Sequence, residues 1–399
     1  MKDEKQALVP RLRFPEFRDA EEWVPKKLGD KDISEFVKKR LSLSELSLDT
    51  YVSTENILPD FGGIAVASKL PSSGSFTAYK KGDILIANIR PYLKKAWVAN
   101  RSGGASNDVV VIRPKDRSNN VLLPFLLKNE VFINYVMRGA KGVKMPRGDV
   151  ALMKEYPLAL PGSDEQQRIA DCLSSLDALI AAQADKLDAL KDHKKGLMQQ
   201  LFPREGETVP RLRFPEFRKA VEWEEATLGG ICEMQAGKFV RASNIKNEYE
   251  DGLFPCYGGN GLRGYTKSYT HTGEYSLIGR QGALCGNVTL ISDQFHATEH
   301  AVVVTPNDGV NTLWLYYVLN YLNLNRFATG QAQPGLSVDN LRNIELRFAP
   351  DEDEQQKIGD SLSSLDDLIT AQSENIEALK TYKKGLMQQL FTNPEAIGI

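Results

Sequence analysis

The ten residues VPRLRFPEFR at positions 9–18 recur letter for letter at 209–218, and a second, longer repeat closes each half of the chain. That closing repeat occupies residues 165–202 and again 354–391, with 26 identities in 38 positions. Between these shared ends the two middle segments barely match. The opening repeats lie 200 residues apart and the closing repeats 189 apart, so the first middle segment is 11 residues longer. Self-similarity on this scale settles the architecture before any local pattern does: one frame is used twice, around two different inserts.

With 399 residues, 42% hydrophobic and 26% charged, the chain has the make-up of a soluble protein of two or three domains with proper cores. The start MKDEKQALVPRLRF is charged, and no apolar run reaches the length of about 18 residues that a membrane span needs. No signal peptide and no membrane contact are expected, and the cytoplasm is the expected compartment. Cys172, Cys232, Cys256 and Cys285 are far apart with no CxxC pair, which reads as reduced, packed thiols and not as a disulfide frame or a zinc site. The net charge of −2 conceals a separation of charge along the chain. Residues 61–150 hold 15 Lys/Arg against 5 Asp/Glu, the footprint of a surface that neutralises phosphates. Residues 233–347 hold 9 against 10, so charge alone supports nucleic-acid contact for one insert only.

The closing repeats carry a heptad seam. In the first it runs Ile169, Leu173, Leu176, Ile180, Gln183, Leu187, Leu190, Lys194, Leu197, Leu201, and in the second Ile358, Leu362, Leu365, Ile369, Gln372, Ile376, Leu379, Lys383, Leu386, Leu390. A seam at period 3.5 needs a partner helix along its length. Pro161 and Pro350 precede the helices, Asp164 and Asp353 are candidate N-caps, and Pro203 ends the first. At about 1.5 Å per residue each helix makes a rod of roughly 57 Å. Only the short link 203–208 separates the end of helix one from the second opening repeat, so helix two must run back. An antiparallel pair with a pseudo-two-fold axis follows, unless each helix packs privately on its own insert. Gln183 and Gln372 fall near the seam midpoint, where a buried polar pair fixes register; a solvated glutamine is the alternative.

Both inserts alternate short strand-like runs with turns. ILIANI (84–89), WVAN (97–100) and VVVIRP (109–114) match YSLIG (275–279), VTLIS (288–292) and AVVVTP (301–306), and each set is followed by an amphipathic helix, 122–137 and 312–327. The loops carry the candidate DNA contacts. In the first insert these are Arg90, Lys94, Lys95, Lys141, Lys144 and Arg147; in the second, Asn260, Arg263, Arg280, Gln281, Gln331 and Gln333. Arginine and lysine suit guanine edges and phosphates, while Asn and Gln read adenine, so the less charged insert leans on amides. For any one of them a plain solvated loop is the competing role. His296, Glu299 and His300 spell HxxEH, but a zinc site of that kind requires a helix, and this segment runs into the AVVVTP strand, where i and i+4 stand about 13 Å apart. YGGNGLRGY at 257–265 lacks the phosphate-loop signature. No metal site and no catalytic residue are expected.

The whole arrangement, with LRFPEF, LPGSDEQQRIADCLSSLDALI and APDEDEQQKIGDSLSSLDDLI, and KKGLMQQLF in both halves, resembles the specificity (S) subunit of type I restriction-modification systems over nearly the whole chain. The resemblance implies an α+β fold: two globular target recognition domains of mixed sheet and helix, 1–160 and 204–350, separated by two long antiparallel coiled-coil helices, 161–203 and 351–392, with a tail at 393–399. It implies a non-catalytic targeting subunit that reads a bipartite, asymmetric target in double-stranded DNA, one half-site per domain. Two methyltransferase subunits dock on such a subunit and restriction/translocase subunits join them; S-adenosylmethionine, ATP and Mg belong to those partners. The short tetrapeptide repeat that one subgroup carries in its central helix is absent here. Two other classes compete: a self-contained nuclease or methyltransferase, which would be active alone, and a DNA-independent coiled-coil scaffold, which would show no salt-sensitive DNA binding even when assembled.

Overall fold

The computed structural model describes residues 8–115, 121–282, 284–330, 334–392 and 397. It separates into two compact units, Met1–Ala181 with Glu377–Ile399, and Ala182–Ile376. Each unit therefore contains one globular domain, the start of the long helix that follows it, and the end of the other long helix.

In the first unit, Ser34–Phe36, Val109–Pro114, Ile84–Ala87 and Ala96–Val98 form one antiparallel sheet in that order. A second sheet orders Arg40–Ser42, Ser75–Tyr79, Gly103–Ala105 and Tyr51–Val52, the last pair parallel. Ile84 and Ile86 face one core and Leu85 the other, because successive strand residues point to opposite faces. The larger core joins Ile84, Ile86, Phe132 and Tyr156 to Ile169 and Leu173 of the first long helix and to Met387, Leu390 and Phe391 of the second. The expected helix 122–137 is two helices, Leu123–Leu127 and Glu130–Arg138, since the Asn129 side chain accepts from Val131 N–H and starts a new helix there.

The second unit repeats the first sheet as Cys232–Ala236, Ala301–Pro306, Tyr275–Gly279 and Val288–Ile291. Its other sheet differs. Gln294–Ala297 keeps an antiparallel neighbour, His271–Thr272, and a parallel one, Phe254–Gly258, but the added edge strand, Gly261–Thr266, sits beside the parallel neighbour. In the first unit the added strand, Arg40–Ser42, sits beside the antiparallel one. Here the helical segment 312–327 resolves into Thr312–Tyr321 and a tight turn, Leu324–Phe327.

The long helices are Ser163–Leu201 and Glu352–Leu390. Every seam position is at least half-buried. Within the second unit the two helices run antiparallel: Gln372 Nε2 donates to Gln183 Oε1 at 2.7 Å and to Gln183 O at 2.9 Å, and Lys194 Nζ pairs with Asp366 at 2.6 Å. In the first unit the equivalent lysine, Lys383, pairs with Asp177. The two lysines in the seam are thus tolerated because each reaches a carboxylate on the facing helix. The N-cap of the second helix is Asp351 and not Asp353: its carboxylate accepts from Asp353 N–H at 3.0 Å and Glu354 N–H at 3.2 Å. Asp164 likewise lies inside the first turn of its helix.

The letter-for-letter repeats have a common physical reason. Arg13 is bidentate on Glu165 (Nε to Oε1 2.8 Å, Nη2 to Oε2 2.7 Å) and donates to the carbonyls of Ala20 and Glu21. Arg213 does the same with Glu354 (2.7 Å for both) and with Ala220 and Val221. The next residue of EQQ serves the preceding strand end: Gln166 donates to Pro161 O and Gln355 to Ala349 O. Leu12 N–H and Leu212 N–H reach the last turn of a long helix, at Gln389 O and Gln200 O. The opening phrase is a clasp that ties one helix start and one helix end to its domain, so it cannot drift without loosening both.

Candidate nucleic-acid interface

The basic loops of the first domain are held together by backbone. Residues 141–147 form a hairpin, closed by paired hydrogen bonds between Lys141 and Arg147. Its return strand lies against the turn that follows Ile84–Ala87: Ile89 bridges Arg147, Arg90 N–H donates to Pro146 O at 2.7 Å, and Gly148 N–H to Asn88 O at 3.0 Å. Asn88 N–H in turn donates to Asp108 O at 2.7 Å. Arg90, Lys94, Lys95, Lys141, Lys144 and Arg147 consequently belong to one assembly of loops, though they are spread over 58 positions of sequence.

Their side chains are not equally available. Lys94 pairs with Glu130 at 2.6 Å and lies 3.4 Å from Asp60; Lys95 donates to Thr54 O at 2.6 Å; Arg147 donates to Asp108 at 2.6 Å. Two neighbouring carboxylates raise the Lys94 pKa, and the hydrogen bond to Glu130 contributes most. Lys141 is exposed with Asp149 at 3.9 Å. Arg90 and Lys144 are exposed and make no polar side-chain contact with any described residue. Around them stand three exposed apolar side chains, Tyr92, Val143 and Met145. Sequence reasoning centred on charge passed over these three, and over Asn88, whose buried Oδ1 has no partner.

The second domain builds the same frame from other residues. Arg280 N–H donates to His300 O at 3.1 Å, Leu336 N–H to Arg280 O at 2.9 Å, and Gly282 N–H to Pro334 O at 3.0 Å, while Gln281 bridges Gly335. Asn88 thus corresponds to Arg280, Arg90 to Gly282, Asp108 to His300 and Arg147 to Gly335. Thr329 closes the hairpin on Gly335 as Lys141 does on Arg147. The candidates Gln331 and Gln333 lie outside the described residues. Asn260 is exposed on the turn between Phe254–Gly258 and Gly261–Thr266 and Arg263 is exposed within the second of these strands; the turn lies over the same place, since a Cβ on Gly259 would sit 2.8 Å from His300 O. Gln281 is exposed, and Arg280 is half-buried with its Nε unpartnered; Thr298 Oγ1 and Glu299 Oε2, on the turn that precedes Ala301, are likewise unpartnered. His296 belongs to Gln294–Ala297, and its ring nitrogens lie 3.3 Å from Ser268 O and 3.2 Å from Lys238 O, so the HxxEH letters mark a packed strand histidine. Among the described residues no cluster of His, Cys, Asp and Glu could hold a metal ion, and no helix is long and apolar enough to cross a membrane.

The family described as type I restriction modification DNA specificity domain matches twice in tandem, over residues 20–192 and 220–381. A 155-residue stretch is 46% identical to the type I restriction enzyme EcoprrI specificity subunit of Escherichia coli; it covers 39% of this chain and 38% of that relative. The MjaVIII specificity subunit of Methanocaldococcus jannaschii is 23% identical over 325 residues, 73% of this chain and 74% of its own. Among solved structures, the S subunit of a type I restriction-modification system from M. genitalium shares the fold, with a TM-score of 0.61 at 17% identity, covering 96% of this chain and 99% of that one. A chain from a structure on complex assembly and conformational transition of the type I R-M system gives 0.57 at 20% identity, over 93% and 98%.

Proposed function

The chain belongs to the type I restriction-modification DNA specificity family, and we propose that it reads a bipartite, asymmetric sequence in duplex DNA, one half per domain. One observation carries this reading: the turn and hairpin share their backbone hydrogen bonds in the two domains while nearly every side chain they present differs. A repeated frame with divergent residues at its loops is what two readers of two unlike half-targets require, because specificity resides in the side chains offered to base edges and the frame only positions them.

The long helices, with their half-buried seams and polar outer faces, are the part left to hold partners, and two methyltransferase subunits are the partners proposed. Base methylation with S-adenosylmethionine, and ATP- and Mg-dependent translocation and cleavage by restriction subunits, are assigned to those partners. Sequencing the methylome of a host with and without this gene tests the proposal. Loss of one bipartite methylated motif is the expected result; an unchanged methylome, together with no salt-sensitive DNA binding by the assembled complex, would leave the scaffold reading instead.

A further inference from the structure

Six non-glycine residues among those described have a left-handed backbone. Two in the second domain, Asp293 and Asn323, are of the types that tolerate it. The four in the first domain are Asp60 (φ 51°), Phe61 (φ 58°), Arg90 (φ 51°) and Lys94 (φ 53°), and they converge on one place. Asp60 N–H donates to Leu93 O at 3.0 Å and Phe61 N–H to Lys94 O at 2.9 Å, so the segment 60–61 braces the turn that carries Arg90 and Lys94. The corresponding turn of the second domain solves the same geometry with glycine: Gly282 (φ 82°) stands where Arg90 does, and Gly286 (φ 86°) where Lys94 does.

Glycine adopts this conformation without a Cβ clash, so a larger residue there is kept for what its side chain does. For Lys94 the fold supplies a reason, since its ammonium bridges Glu130 and Asp60. For Arg90 it supplies none. Its N–H bond to Pro146 O is one that Gly282 makes equally well to Pro334 O, and its side chain is exposed and without a polar partner among the described residues. We propose that Arg90 is a target-contacting residue of the first domain, its guanidinium meeting an acceptor on duplex DNA, either a guanine edge or a phosphate. A guanine edge presents O6 beside N7 and a phosphate presents two oxygens, and the guanidinium fork matches either pair. The proposal rests on the DNA-reading function above and narrows it to a residue: of the six basic candidates in this domain, Arg90 alone is held against its own backbone preference without a polar side-chain partner among the described residues. Lys144 and the exposed Tyr92, Val143 and Met145 flank it on the same turn and hairpin.

The test uses the complete complex with its methyltransferase subunits, on a duplex carrying the motif that the wild-type complex methylates and on a scrambled duplex. Arg90→Gly is expected to assemble, to melt at or above the wild-type temperature because the strain is relieved, and to lose about 5- to 150-fold in affinity for the motif, the range for one bidentate contact. Arg90→Lys separates the two acceptors. A deficit confined to one base pair of the motif and not rescued by lysine identifies a base edge. An equal deficit on both duplexes, rescued by lysine, with a salt slope of log K reduced by about 0.9, identifies a phosphate. Wild-type affinity and discrimination in Arg90→Gly would overturn the proposal, and so would a lowered melting temperature, which would make the side chain structural. If the wild-type complex itself does not distinguish the two duplexes, the functional reading fails, independently of Arg90.

Discussion

Replacing Arg213 by methionine tests whether the repeated opening phrase is a clasp. Glu354 is 1% exposed and Arg213 9%, so the substitution leaves a carboxylate buried without its cation. Removing one partner of such a pair costs about 3–5 kcal/mol, more than the pair is worth against an apolar replacement of both. In a unit of this size each kcal/mol moves the melting temperature by roughly 2–4 °C, so a fall of about 6–20 °C is expected. The molecule contains its own control. Trp223 Nε1 lies 3.3 Å from Glu354 Oε2 and retains a donor for the stranded carboxylate, whereas Trp23 Nε1 in the first clasp has no partner. Arg13→Met should therefore cost more than Arg213→Met. Scanning calorimetry of both variants, and of Arg13→Met/Glu165→Met, decides the matter: the double variant should recover most of the loss. Shifts below about 2 °C, or a double variant no better than the single, would refute the argument that buried charge makes the phrase invariant between the halves.

Exchange of residues 30–150 for the insert of a relative should alter one half of the methylated motif and spare the other, read by methylome sequencing; change in both halves would contradict one half-target per domain. Lys144→Gln should lower the salt slope of DNA binding by the assembled complex by about 0.9 with no change in melting. Arg147→Gln should in addition destabilise slightly, by about 0–1 kcal/mol, because Asp108 loses its partner at a largely exposed pair. Burial pushes the Cys232 thiol up to about 12, and raises Cys256 and Cys285 for the same reason, so little thiolate exists at pH 8 and half-buried Cys172 should take up iodoacetamide first. Mass mapping that finds Cys232 alkylated as quickly would show that the sheet it belongs to opens.

What could be read from the sequence was whatever repeats with a period or a partner. The heptad seam is a one-dimensional pattern, and it is half-buried or buried at all its positions, with Gln183 and Gln372 hydrogen bonded. The strand runs 84–89 and 275–279 were visible because buried strands are continuous apolar stretches. Less was visible where geometry decides between equals. Asp351 and Asp353 are both acidic and stand two residues apart at the helix start, and only the backbone shows which one caps. The added edge strand sits on opposite sides of the second sheet in the two domains, a choice carried by loops without periodicity. The candidate contacts divided in the same way. Their residue types were legible, but the internal partners of Lys94, Lys95 and Arg147 come from residues 54, 60, 108 and 130, at separations no local pattern reports.

The distribution of tolerance in this chain follows from where each residue's partners are. Arg13 and Glu165 satisfy each other from far apart in sequence, and a change in one strands the other in a buried site. Such positions can vary only in pairs, which is why the frame is nearly the same in both halves. In the turn and hairpin the backbone bonds to itself, from Asn88 to Asp108 and Gly148 in one domain and from Arg280 to His300 and Leu336 in the other, and its main demand on the residues is a positive φ at positions 90, 94 and 142 and at their counterparts 282, 286 and 330. A frame satisfied by its own main chain leaves its side chains free to be chosen by an external ligand. Two domains built in this way can diverge in the side chains they present while sharing the main-chain bonds that hold the turn and hairpin, and Arg90, which departs from the easy solution where glycine would serve, is the position at which the proposed external choice is tested most directly.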